Sequence, residues 1–103
     1  MNPTKLQSSD IWLLLSVCYV TGKANKEKII EAGDFINHAI FTDEEYEGGI
    51  KRLLETEYIM EGNNTYSVTN KFKGIWNNGI SKKQRVHSQL DALEKVLLKW
   101  KNT

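Results

Sequence analysis

The segment from Thr42 to Thr69 constrains the fold more than any other part of the chain. Thr42-Asp43-Glu44-Glu45 has capping-box form: the threonine hydroxyl can accept the Glu45 backbone N–H while the Glu45 carboxylate reaches back to the Thr42 N–H. Behind this start, Tyr46, Ile50, Leu53 and Leu54 make an inward stripe and leave Glu47, Gly48, Lys51, Arg52 and Glu55 on the outside. Two short runs follow, Tyr58-Ile59-Met60 and Thr65-Tyr66-Ser67-Val68-Thr69, joined by Gly62-Asn63-Asn64, residues that tolerate positive φ. They predict a β-hairpin with Tyr66 and Val68 on one face. Asn63-Asn64-Thr65 also fits a glycosylation acceptor, but that pattern is short and commonly accidental, and the segment reads as a turn.

Upstream, Ser8-Ser9-Asp10 supplies helix-start chemistry for a helix over roughly Ser9 to Thr21 that is apolar nearly all round and therefore central and buried. Gly22 is its expected stop. The sole cysteine, Cys18, lies inside this run, so no internal disulfide forms and the sulfur reads as a small core hydrophobe. Asn25 can cap a second helix in which Ile29, Gly33, Ile36 and Ile40 recur on one face, with Ile30 and Phe35 beside them. Gly33 costs about 1 kcal/mol relative to alanine there, which marks either a close crossing or a kink. Asn37-His38 ends that helix, and Ala39-Ile40-Phe41 is a partly buried turn.

Downstream, Thr69 or Asn70 caps a short helix holding Phe72, Ile75 and Trp76, which Asn77-Asn78-Gly79 breaks. A last helix is expected from Ser81, where Val86, Leu90, Leu93, Leu97 and Trp100 alternate spacings of four and three. The stripe covers only about two heptads, so it serves packing within the chain and pairing with a second subunit equally well. The fold class is thus mainly α with a small β-hairpin. The 103 residues, 40% of them hydrophobic, suit one domain over residues 1–103, with a core at 9–76 and a C-terminal helix at 81–102 for packing or dimerisation.

With these residues laid out, the chain resembles the winged helix-turn-helix superfamily of small transcription regulators, in its MarR-like and PadR-like architectures. The resemblance spans roughly Ser9 to Trp76 and rests on the helix from Thr42 to the paired Leu53-Leu54, on Tyr58-Ile59, and on a final strand, Tyr66-Ser67-Val68-Thr69, closing on threonine. It implies a non-enzymatic DNA-binding transcriptional regulator with the third helix in the major groove and the hairpin at the backbone or minor groove. Carried onto this chain, the DNA-binding candidates are Lys51, Arg52, Asn63, Asn64, Lys71 and Lys73. The resemblance also implies a homodimer through Val86, Leu90, Leu93, Leu97 and Trp100.

Charge departs from that pattern. The net charge of +1 conceals −4 over residues 41–57 and +6 over residues 71–101. Asp43, Glu44 and Glu47 stand where phosphate density would be high, and the hairpin tip holds no lysine or arginine, so close docking on DNA meets repulsion. The alternative is a protein–protein interaction module that does not bind DNA, whose acidic third helix meets a basic protein partner or another copy's basic tail, Lys82, Lys83, Arg85, Lys95, Lys99 and Lys101. Candidates for catalysis are confined to His38, His87 and Cys18, and no glycine loop cradles phosphate, so no catalytic, metal or cofactor site is expected. The run Ile11 to Val20 is about half a membrane crossing, and Met1-Asn2-Pro3-Thr4-Lys5 lacks a signal-peptide pattern. The expectation is a cytoplasmic protein without a membrane partner.

Overall fold

A helix that is apolar on every side is stable only with neighbours on every side. In the computed structural model, which describes residues 5–20 and 22–98, helix α1 (Ser8–Tyr19) meets that condition: Ile11, Leu13, Leu14 and Leu15 have no exposed surface. Helices α2 (Lys26–Asn37), α3 (Asp43–Glu55) and α5 (Val86–Leu97) all pack on it. Between α3 and α5 come strands β1 (Ile59–Gly62) and β2 (Thr65–Val68), helix α4 (Asn70–Trp76) and a 3-10 turn at Ile80–Lys82. The architecture is mainly helical with a small two-stranded antiparallel hairpin.

Local chemistry accounts for the middle of the chain. The Glu45 N–H donates to Thr42 Oγ1 at 3.0 Å and the Thr42 N–H to Glu45 Oε1 at 2.9 Å, closing the capping box at the start of α3. In the hairpin Ile59 pairs with Val68 and Gly62 with Thr65, which leaves a loop of Asn63 and Asn64 alone. Both have positive φ, 50° and 63°, the conformation of a two-residue turn whose twist matches that of the flanking strands. Gly62 therefore belongs to β1 and not to the turn, and β1 starts at Ile59, one residue later than predicted. The Thr69 side chain accepts the Phe72 N–H and starts α4.

The helix ends differ more from expectation. Helix α1 stops at Tyr19, with Val20 already extended, and Gly22 at φ 84° turns the chain further on. That turn brings Ala24 beside β2, where Ala24 and Tyr66 exchange backbone hydrogen bonds of 2.9 and 2.8 Å. Helix α2 is capped by Asn25 as predicted and ends in left-handed His38, so Ile40 leaves the buried stripe and is 69% exposed, while Ile29, Gly33 and Ile36 stay inside. The last helix begins at Val86 and not at Ser81. Gly79, at φ 107°, folds Ile80 into the core through the 3-10 turn, and the chain bends through Gln84 and Arg85 before α5. Gln89 Nε2 donates to the Lys83 carbonyl and pins that segment.

Gly33 marks a close approach. The indole of Trp12 donates to its carbonyl at 2.9 Å and stacks on Phe41 with centroids 3.8 Å apart, so Phe41 fills the space a side chain would need. A methyl at Gly33 would stand 2.4 Å from Phe41 Cε2. Gly33→Ala is expected to lower stability by about 1–2 kcal/mol in urea unfolding, because overpacking here outweighs the gain of alanine in a helix.

Candidate interaction surface

The outer face of α3 and the hairpin are where the site residues predicted from the sequence were expected to converge. They do not converge as cations. Arg52, predicted to point outward, folds back onto Asp10 of α1: Nε donates to Oδ2 at 2.6 Å and Nη2 to Oδ1 at 2.9 Å. Asp10 has no exposed surface and Arg52 retains 24%. The bond to Asp10 raises the guanidinium above its ordinary value, against the opposing effect of burial. Such a two-pronged pair engages both carboxylate oxygens and leaves the arginine little freedom to neutralise phosphate.

Two glycines make the fold-back possible. A methyl on Gly49 would lie 2.6 Å from Leu13 Cδ2 and 3.0 Å from Asp10 Oδ1, and one on Gly48 would lie 3.2 Å from both terminal nitrogens of Arg52. Gly48-Gly49 thus lets α3 approach α1 and gives the guanidinium its path. The pair was missed in the sequence because Asp10 reads as ordinary helix-start chemistry. It does serve that role, accepting the Gln7 N–H at 2.9 Å. The legible signal was a carboxylate opening a wholly apolar helix, paired with an unexplained double glycine one turn before an arginine.

With Arg52 withdrawn, the exposed residues of α3 include Asp43, Glu44, Glu47, Lys51 and Glu55, four acids and one base. A recess of about 250 Å³ opens beside its first turn, lined by Gln7, Ser9, Glu44, Glu45 and Arg52. Lys51 is exposed on this acidic face, and Asn63 and Asn64 are exposed at the hairpin tip. Lys71 is occupied locally: its ammonium donates to the Thr56 carbonyl at 2.7 Å and lies 4.6 Å above the Tyr58 ring, bracing the turn from α3 into β1. Lys73 borders a separate groove with Lys23, between the end of α1 and β2.

Of the dimerisation stripe, Leu93 is fully buried in the chain's own core, Val86, Leu90 and Leu97 are half-buried, and Trp100 lies outside the described residues, as do Lys99 and Lys101. Leu98, outside the stripe, is also buried. The helix therefore uses part of its apolar face on α1. His87 Nε2 meets the Ile36 carbonyl at 3.0 Å, and His38 caps α2. Burial pushes the Cys18 thiol up to about 11, so it stays a thiol at neutral pH. Among the described residues no group of three or more His, Cys, Asp or Glu could hold a metal ion, and no helix is long and apolar enough to cross a membrane. A scan against protein-family models and searches of curated proteins and of solved structures found no match.

Two experiments test the contacts beneath this surface. Arg52→Met should destabilise the protein by about 2–4 kcal/mol, since it strands a buried carboxylate, while adding Asp10→Leu should recover part of the loss in a double-mutant cycle. Tyr46 is 6% exposed and its hydroxyl has no hydrogen-bond partner among the described residues. Burial first, and then Tyr66, push its phenol up to about 12. An unfolded tyrosine ionises near 10, so this contribution to stability is intact below about pH 10 and lost as pH rises toward 12. Tyr46→Phe should flatten that alkaline loss in urea melts compared between pH 9 and 11.

Proposed function

We propose that the chain is a small non-enzymatic winged-helix module that binds a basic protein surface through the outer face of α3. Three features support the winged-helix reading: the order of three helices, hairpin and helix, the Ala24 bridge beside the hairpin, and the capped third helix. The observation that carries the choice of partner is the Arg52–Asp10 pair. It removes a cation from the face that would meet DNA, and leaves Asp43, Glu44 and Glu47 exposed there. Phosphate contacts dominate affinity for DNA, and an acidic helix start opposes them. A partner's lysine or arginine entering the recess at Glu44 and Glu45 would instead find opposite charge next to the capping box.

The DNA-binding regulator is the competing reading, and one pair of measurements separates the two. A lysine- and arginine-rich peptide should bind in fluorescence anisotropy with strong salt dependence, and Asp43→Lys/Glu44→Lys/Glu47→Lys should weaken it by about tenfold or more. A mixed-sequence duplex should not bind at low salt. Duplex binding that Lys51→Glu and Lys73→Glu abolish would replace the protein partner with DNA.

A further inference from the structure

The groove between the end of α1 and β2 has no part in that reading, and its chemistry is different. Its floor is apolar: Val17 is buried, while Cys18 and Val68 present half-buried side chains. Lys23 reaches it from the segment after α1, Lys73 from α4, and Ser67 adds a hydroxyl from β2. The space is about 450 Å³, within the range of small-molecule sites. No acid stands among the described lining residues, and neither lysine makes an ion pair with a described residue. Gly22 also lines it, and apart from its chain neighbours no described atom comes within 4 Å of where a Cβ would stand.

An apolar floor with two unpaired ammonium groups and no competing carboxylate selects for a ligand of mixed character. The floor rewards a short hydrocarbon body through burial of apolar surface. The lysines reward an anionic end, and their hydrogen bonds to a charged oxygen are stronger than those to a neutral one. A purely polar anion would leave the floor wet, and a neutral hydrocarbon would gain nothing from the two lysines, which are exposed and hydrated in the free protein. The Cys18 sulfur, protonated at neutral pH, adds polarizable apolar surface to the floor.

We infer that this groove is a binding site for a small amphipathic carboxylate, whose acyl or aryl body lies against Val17, Cys18 and Val68 and whose carboxylate faces Lys23 and Lys73. The occupant is held by side chains from three elements that meet only in the folded chain, α1, β2 and α4, together with the segment carrying Lys23.

Octanoate is the probe, with octanol and octylamine as controls of matched chain length. Octanoate titrated into the full chain should give saturable chemical-shift changes at Val17, Lys23, Val68 and Lys73, and should slow alkylation of Cys18, the only cysteine. Octanol should bind roughly tenfold or more weakly, and octylamine not at all. Lys23→Gln/Lys73→Gln, both exposed positions, should keep the melting temperature and lose octanoate binding by a similar factor. Equal binding of octanol, unchanged octanoate binding in the double variant, or no protection of Cys18 in the wild type at millimolar octanoate would each overturn the proposal. Should the variant fail to fold, the comparison of octanoate with octanol and the protection of Cys18 in the wild type decide by themselves.

Discussion

A carboxylate with no exposed surface is tolerable only when its oxygens are satisfied and its charge is met, and Asp10 satisfies both demands at once. Its two oxygens receive Gln7 N–H, Arg52 Nε and Arg52 Nη2. One group therefore satisfies a backbone N–H at the start of α1 and ties that start to the middle of α3. The tie sets how close α3 lies, which is why Gly49 faces Leu13 and Asp10 with no room for a methyl. It also determines what α3 shows to solvent. One of the helix's two cations is turned inward, and its exposed face carries four acids against Lys51 alone.

The apolar circumference of α1 organises the remainder. Helix α2 covers one side through Ile29 and Ile36, with Gly33 opened so that the Trp12 and Phe41 rings stack. Helix α5 covers another through Leu93, and Leu98 after it is buried too. Tyr19, at the end of α1, donates its hydroxyl to Gln89, whose amide nitrogen in turn holds the Lys83 carbonyl. The segment before α5 is thereby held in place, and the cations along it and at the end of the 3-10 turn, Lys82, Lys83 and Arg85, are exposed. Burying a helix on all sides thus also specifies where the segment before α5 runs.

Two surfaces of opposite character result. The first turns of α3 gather carboxylates next to a recess, and the groove at the other end of α1 gathers two lysines over an apolar floor. Among the described residues neither holds a group of three or more side chains that could ligate a metal ion. The proposals drawn from them differ accordingly, an extended basic surface for the first and a compact anion with an apolar body for the second.

Local hydrogen-bond chemistry was legible directly from the residues. Thr42 with Glu45, Asn25 with the Lys28 N–H, Thr69 with the Phe72 N–H and the Asn63-Asn64 turn all join groups no more than a few positions apart, so the sequence determined the starts of α2, α3 and α4 and the hairpin. The periodic stripes likewise determined which residues of α2 and α3 face inward, apart from Ile40 and Arg52. The tertiary structure alone decided what depends on partners distant in sequence. Arg52 meets Asp10 across 42 positions, Trp12 meets Gly33 across 21, and Ala24 finds Tyr66 only once the hairpin has formed. The break between Ile80–Lys82 and α5 belongs to the same class, because the core draws Ile80 inward where the sequence would let a helix continue. Side-chain direction on a helix follows from spacing, but a long charged side chain goes wherever an opposite charge lies buried within reach, and only the packed chain places that charge.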